Sequence, residues 1–110
     1  MAKCAFLFAG QGSQYAGMGK DMYETFPESK AVFDKAEEVL SFELKRRCFE
    51  GPEEMLKITN VSQPAIVTAS LAALAAFKAK LPDIKPLYMA GLSLGEYSAL
   101  IAAETFKFDD

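Results

Sequence analysis

Residues 91–95 read Gly-Leu-Ser-Leu-Gly. A short apolar run, Leu87 to Ala90, precedes them, and a helical pattern from about Leu94 to Ala103 follows. A serine with glycines two residues to either side, set on a strand-to-helix turn, has the pattern of a nucleophile elbow. The reason is steric. The turn is sharp, the glycines let strand and helix approach, and the Ser93 hydroxyl is held at the carboxyl end of the strand. The N–H of Leu94 then lies at a helix N-terminus, where it can stabilise an oxyanion. The plainer reading of the same five residues is a tight turn with a serine N-cap. Glu96, in the first helical turn, suits the positive end of the helix dipole better than the role of a base.

Activated serine chemistry needs a base, and the 110 residues contain no histidine. Ser–His and Cys–His catalysis therefore cannot be completed from these residues alone. Histidine-based metal sites are excluded, and Cys4 and Cys48 cannot make a Cys₄ zinc site. No metal site is expected.

A second candidate is Gly10-Gln11-Gly12-Ser13-Gln14, directly after the apolar run Cys4 to Ala9. A dinucleotide fingerprint would need glycine at Tyr15. A phosphate loop ending at Gly19-Lys20 would need glycine at Gln14 and Ser or Thr at Asp21. Both fail. What remains is a glycine loop at the end of a strand. In a parallel sheet that end lies beside the strand that carries Ser93, so the Gln11 N–H is a candidate second oxyanion donor. Gln63, before Pro64, is a candidate polar wall of the same pocket. Its plainer role is helix capping, since Asn60 and Gln63 have the spacing of a capping box.

These groups need elements to hold them. Cys4 to Ala9 has no polar alternation and reads as a strand buried on both faces. Residues 10–19 form a loop with four glycines. Pro27 to Leu40 is an amphipathic helix with Val32, Phe33, Ala36, Val39 and Leu40 on its apolar face. Thr25 and Glu28 are spaced as its capping box. Glu43 to Glu50 is a short helix stopped by Gly51, and Pro52-Glu53-Glu54 opens another. The longest helix runs from about Asn60 to Leu81. Ile66, Ser70, Ala73, Leu74, Phe77 and Leu81 form its stripe, widened by Val67 and Leu71. The second strand is Leu87 to Ala90.

Strand, several helices, strand, helix predicts an α/β fold with a parallel sheet. Two parallel strands alone make a poor sheet with open edges. Together with the missing histidine, this points to the N-terminal part of a longer chain. Asp109-Asp110 resemble the opening of a further helix.

Composition bounds the rest. The chain is 51% hydrophobic and 25% charged, with 15 acids against 12 bases. That excludes the profile of a disordered chain and gives no electrostatic reason to expect nucleic acid. Lys45-Arg46-Arg47 reads as a solvated helix face. A chain of this length buries roughly 65% of its unfolded surface, sufficient for one modest core. Cys4 and Cys48 are far apart, which suits reduced, buried thiols in a cytoplasmic protein. The run Cys4 to Ala9 is short for a secretory signal. The most apolar stretch, Pro64 to Phe77, is short for a membrane span and suits a buried helix, so no membrane partner is expected.

Taken in order, three motifs resemble one family: Gly10-Gln11-Gly12-Ser13-Gln14 with Gly17-Met18-Gly19, then Ser62-Gln63-Pro64-Ala65, then Gly91-Leu92-Ser93-Leu94-Gly95-Glu96-Tyr97-Ser98-Ala99-Leu100. They look like the N-terminal part of the malonyl-CoA:acyl-carrier-protein transacylases, a pattern shared with polyketide synthase acyltransferase domains. The resemblance covers essentially the whole chain. It implies a partial hydrolase-like subdomain over residues 1–110. The downstream part of that subdomain and a small ferredoxin-like subdomain are absent.

The resemblance further implies that Ser93 takes malonyl from coenzyme A as an ester. The phosphopantetheine thiol of acyl carrier protein then attacks that ester, so the transfer is ping-pong and serves fatty acid biosynthesis. Gln11 and Leu94 would supply the oxyanion-hole N–H groups, and Gln63 would line the pocket. No resident cofactor is implied; malonyl-CoA is substrate, and acyl carrier protein is the partner, with a missing C-terminal portion of the fold as a further one. The family's activating histidine and its carboxylate-binding arginine lie downstream of the elbow and have no counterpart here. Leu94 after the serine resembles malonyl-type members. Leu92 departs from the usual histidine before the serine, which removes a polar group beside the pocket.

Two other readings stand beside this one. The elbow alone also fits an esterase, although esterases commonly carry an H-G-G-G-type loop where this chain has Gly10-Gln11-Gly12. A non-catalytic fragment or interaction module fits the absence of histidine.

Overall fold

The computed structural model describes residues 5–10, 12–84, 86, 88–91 and 94–103, with backbone alone at Tyr88 and Glu96. Eight elements follow in order: β1 (Ala5–Phe8), α1 (Lys20–Thr25), α2 (Pro27–Leu40), α3 (Leu44–Glu50), α4 (Glu53–Leu56), α5 (Thr59–Lys80), β2 (Tyr88–Gly91) and α6 (Gly95–Ala102). β1 and β2 pair in parallel, with Ala5 opposite Tyr88 and Phe8 opposite Gly91. The α/β reading with a parallel sheet holds, and the described sheet has two strands.

α5 is the centre of the structure, packing against all five other helices. On one side, α1 to α4 close a core of Met18, Phe33, Ala36, Leu44, Cys48, Leu56, Ala65 and Ala72. Phe33, Leu44 and Cys48 are fully enclosed there. On the other side, Phe8, Leu71, Ala99 and Ala102 join β1, α5 and α6. The buried Ser29 hydroxyl donates to the Ala72 carbonyl at 2.7 Å, which satisfies a polar group at the tight α2–α5 crossing.

Proline and glycine explain several departures from the sequence reading. Thr25 does not cap α2; it is the last residue of α1. Phe26 stands between the helices in an extended conformation (φ −116°, ψ 120°), as the steric pressure of Pro27 on the residue before it favours. The expected capping box with Glu28 is therefore not formed. α1 itself went unread in the sequence. It starts after Gly19, whose φ of 80° is left-handed and whose Cβ position lies 2.6 Å from the Phe33 ring. Only glycine allows both the turn and that approach.

α5 begins two residues before Val61, with Ile58 as N-cap; the Ile58 carbonyl accepts the N–H groups of Val61 and Ser62 at 2.9 and 2.8 Å. This removes the Asn60–Gln63 box. Pro64 sits inside the helix and forfeits one backbone bond. At 22 residues α5 has the length expected, displaced by one residue toward the N-terminus, and by length and composition alone it could cross a membrane. Its buried residues, Ser62 and Thr68 among them, face protein instead.

The apolar faces also differ. On α2 the buried residues are Ser29, Phe33 and Ala36, while Val39 and Leu40 are exposed. On α5, Ser70, Ala73, Leu74 and Phe77 are half-buried, and Leu81 is exposed. β1 is not buried on both faces: Leu7 is 80% exposed.

Candidate functional site

The parallel register sets the site. Phe8 lies opposite Gly91, so the two strands end side by side and both chain exits leave from the same edge. From β1 the chain enters the glycine loop. From β2 it passes to α6, which starts at Gly95. Gly95 is packed against the backbone of β1. A Cβ there would collide with the Phe8 carbonyl oxygen and lie 2.9 Å from its carbon and 3.0 Å from the Ala9 oxygen. The glycine two residues after Ser93 is thus required for α6 to dock on the strand end, the steric role anticipated from the sequence.

Leu94 precedes α6 with helical dihedrals (φ −53°, ψ −34°) and is buried at 8% exposure. Its carbonyl accepts the Tyr97 N–H at 3.0 Å, closing the first turn. Gln11, Leu92 and Ser93 lie outside the described residues. Their chain neighbours Gly10, Gly12, Gly91 and Leu94 are described.

The glycine loop is held by contacts that sequence reasoning missed. The Ser13 hydroxyl and N–H both donate to the Gly10 carbonyl, at 2.7 and 3.3 Å. The Gln14 side chain accepts from the Gly12 N–H at 2.7 Å and donates to the Leu56 carbonyl at 3.2 Å. The Gly17 N–H donates to the Cys48 carbonyl at 2.7 Å. Gln14 and Gly17 thus tie the loop to α4 and α3. Gly12 and Gly17 both have positive φ, at 106° and 98°. That spacing of glycines was the only sequence signal for so defined a path.

Gln63 is half-buried in the first turns of α5 and makes no side-chain hydrogen bond among the described residues. No described contact brings it to Leu94. Pro64 and Ala65 beside it belong to α5, and Ala65 is fully buried in the helical core.

The described electrostatics lie away from the strand ends. Lys45 Nζ is 2.8 Å from Asp34 Oδ1 and 3.3 Å from the Tyr23 hydroxyl, with the Tyr23 ring centroid at 5.3 Å. The hydrogen bond from Lys45 holds the Asp34 carboxyl below its ordinary value and raises the Lys45 ammonium above its own. Lys45 is therefore not part of a simple solvated face, whereas Arg46 is exposed between Glu43 and Glu50. Burial pushes the Cys48 thiol up to about 12, which makes it an inert packing group. Cys4 lies outside the described residues. The described residues contain no group of three or more metal-ligating side chains.

Gly95 docked on the end of β1, beside a pinned glycine loop on a parallel strand pair, makes an α/β unit, and the chain belongs to the acyl transferase domain family, whose model it matches over residues 5–110. Among its relatives is the malonyl CoA-acyl carrier protein transacylase of Bacillus subtilis (strain 168), 51% identical over all 110 residues. The solved malonyl CoA-acyl carrier protein transacylase from Clostridium perfringens superposes with a TM-score of 0.90 at 48% identity, over 98% of this chain. A malonyl-transacylase solved in complex with a type II polyketide acyl-carrier protein superposes at 0.91, with 41% identity over 98% of this chain. The chain spans about a third of each: 34%, 34% and 35% of their lengths.

Proposed function

We propose that this chain forms the N-terminal part of the hydrolase-like subdomain of a malonyl-CoA:acyl-carrier-protein transacylase, with Ser93 as its nucleophile. The observation that carries the reading is Gly95 packed on the Phe8 and Ala9 carbonyls. That approach fits a nucleophile elbow between Gly91 and Gly95, beside the exit of the Gln11 loop.

In this reading the Ser93 hydroxyl oxygen attacks the thioester carbonyl of malonyl-CoA. Its proton passes to a base supplied from outside these residues, since they hold no histidine. The N–H groups of Gln11 and Leu94 stabilise the tetrahedral oxyanion. Its collapse breaks the C–S bond and releases coenzyme A, leaving malonyl esterified to Ser93. The phosphopantetheine thiol of acyl carrier protein then attacks the ester and regenerates the serine hydroxyl. Gln63 lines the malonyl pocket. No resident cofactor enters these steps, and the setting is cytoplasmic fatty acid synthesis. The names of the relatives support the substrate and partner.

The test is intact-mass spectrometry after brief exposure to malonyl-CoA. It compares the chain alone with a whole enzyme in which it replaces the matching third of the Clostridium perfringens transacylase. The expected result is one malonyl adduct on the whole enzyme, its loss on Ser93→Ala, and negligible turnover by the chain alone. An adduct that survives Ser93→Ala would remove Ser93 from the mechanism.

A further inference from the structure

Gln11 is flanked in the chain by two peptide units, and a described side chain binds each of them. In the unit before it, the Gly10 carbonyl accepts the Ser13 hydroxyl at 2.7 Å and the Ser13 N–H at 3.3 Å. In the unit after it, the Gly12 N–H donates to Gln14 Oε1 at 2.7 Å. Gln14 is itself anchored, because its Nε2 donates at 3.2 Å to the carbonyl of Leu56, a residue enclosed in the helical core. Leu56 ends α4, and a helix leaves its last carbonyls without partners of its own. Satisfying that carbonyl needs only a donor. It does not need the oxygen of the same amide to reach back to Gly12. The loop also leaves β1 against the start of α6, where the Ala9 oxygen lies 3.0 Å from the Cβ position of Gly95.

We propose that Ser13 and Gln14 are positioning residues for acyl transfer, holding the peptide units on either side of Gln11 so that its N–H is aimed at the oxyanion. The inference rests on the transacylase reading and extends it from the donor to what holds the donor. A non-proline peptide is planar and trans, with its N–H opposite its carbonyl. A Gly10 carbonyl turned toward Ser13 therefore turns the Gln11 N–H away from Ser13. Gln14 fixes the following unit and ties it to α4. An oxyanion donor works by being in place before charge develops, and a loop with four glycines has little stiffness of its own. The helical core thus lends its rigidity to a donor on the sheet side. Neither residue touches substrate in this scheme; both act through the Gln11 N–H.

The test uses Gln14→Leu, Gln14→Glu, Ser13→Ala and Ser13→Thr in the whole enzyme described above. Malonyl transfer to acyl carrier protein and urea unfolding are measured on the same samples. Gln14→Leu removes both bonds at similar volume. It should lower kcat about 10- to 100-fold, less than the outright loss of an oxyanion donor, with KM for malonyl-CoA within about two-fold. Gln14→Glu keeps the acceptor for Gly12 and loses the donor to Leu56, so its kcat should fall between those of wild type and Gln14→Leu. Ser13→Ala should lower kcat about 5- to 10-fold, and Ser13→Thr, which keeps the hydroxyl, should restore it. A lowered urea midpoint with kcat unchanged would overturn the proposal and leave Gln14 as a cap on α4. A rise in KM with kcat unchanged would overturn it too. Ser13 is exposed, so Ser13→Ala leaves the core intact and decides the matter where Gln14→Leu does not fold. The malonyl adduct on Ser93 separates this proposal from the reading beneath it. An unmodified wild-type enzyme would remove the transacylase reading and the positioning role with it. A malonylated enzyme with wild-type kinetics in all four variants would remove the positioning role alone.

Discussion

Phe33 and Leu7 are both large apolar side chains within reach of α5, yet one is fully enclosed and the other is 80% exposed. Phe33 stands in the helical half, where Tyr23 and Phe49 meet its ring at centroid distances of 6.0 and 5.1 Å. Leu7 stands in the sheet half, where β1 has a partner on one side only among the described residues. The difference lies in where the covering groups come from. The helical half draws its walls from four consecutive helices and the adjoining turns of α5. The sheet half needs neighbours along its strand edge and over its faces, and such neighbours are distant in sequence. A chain that spans about a third of its relatives' length thus closes a helical core while, among its described residues, β1 keeps one edge unpaired.

The largest expected effect probes this contrast directly. Phe33→Ala should cost about 3–5 kcal/mol, comparable to the whole stability of a small domain, whereas Leu7→Ala should stay within about 0.5 kcal/mol. Urea unfolding of both variants measures the gap. Similar losses would mean that Leu7 is covered in solution.

Next comes Gly95→Ala. The added methyl has no space against the Phe8 carbonyl, so α6 must move off β1. The expected cost is about 2–3 kcal/mol. Amide exchange should rise in α6 and β1 and stay unchanged in α2 and α3. Uniform exchange across the molecule would show that the two halves do not open separately.

Ser98→Ala works in the opposite direction. The Ser98 hydroxyl is buried and has no hydrogen-bond partner among the described residues, a desolvation cost left uncompensated there. Its removal should stabilise the chain by about 1 kcal/mol, read as a higher urea midpoint. A loss of stability would mean that a water or a further group satisfies it.

The smallest effect concerns Cys48, whose folded value is raised to about 12 from 9.0 by burial. The neutral thiol is favoured by the fold. Its contribution is complete below about pH 9 and is lost as pH rises from there toward 12. Wild type should lose about 1 kcal/mol by pH 10 relative to Cys48→Ala, the slope being at most about 1.4 kcal/mol per pH unit. Identical pH profiles for the two proteins would mean that Cys48 is wetter than its burial implies.

Much of this organisation was legible in the sequence. Pro27 and Leu40 bound α2 as expected, because proline fixes a helix start. Gly95 was legible because a strand-to-helix turn demands a residue without a Cβ. α1 was not: its six residues lack a periodic apolar face, and what holds them is Gly19 against Phe33. The capping boxes failed because spacing alone does not locate a helix start: α2 begins at Pro27 with Phe26 extended before it, and α5 begins at Thr59 with Ile58 as N-cap. The burial of β1 was overestimated because an apolar run states what a strand needs, not whether its cover is present. Of the candidate site, Leu94 is described just ahead of α6 and Gln63 lies on α5. Ser93 and Gln11 rest on their motifs and on the positions of their neighbours.

The ties on the glycine loop also impose an order in time. Gly17 is anchored by Cys48, and Gln14 by Leu56, partners 31 and 42 positions further along the chain. On a ribosome adding about 5–20 residues per second, the loop stays unset for seconds after its own synthesis. A stretch made almost first is thus among the later ones to acquire its shape, and a nascent chain halted before α4 would carry the loop sequence without its Leu56 anchor.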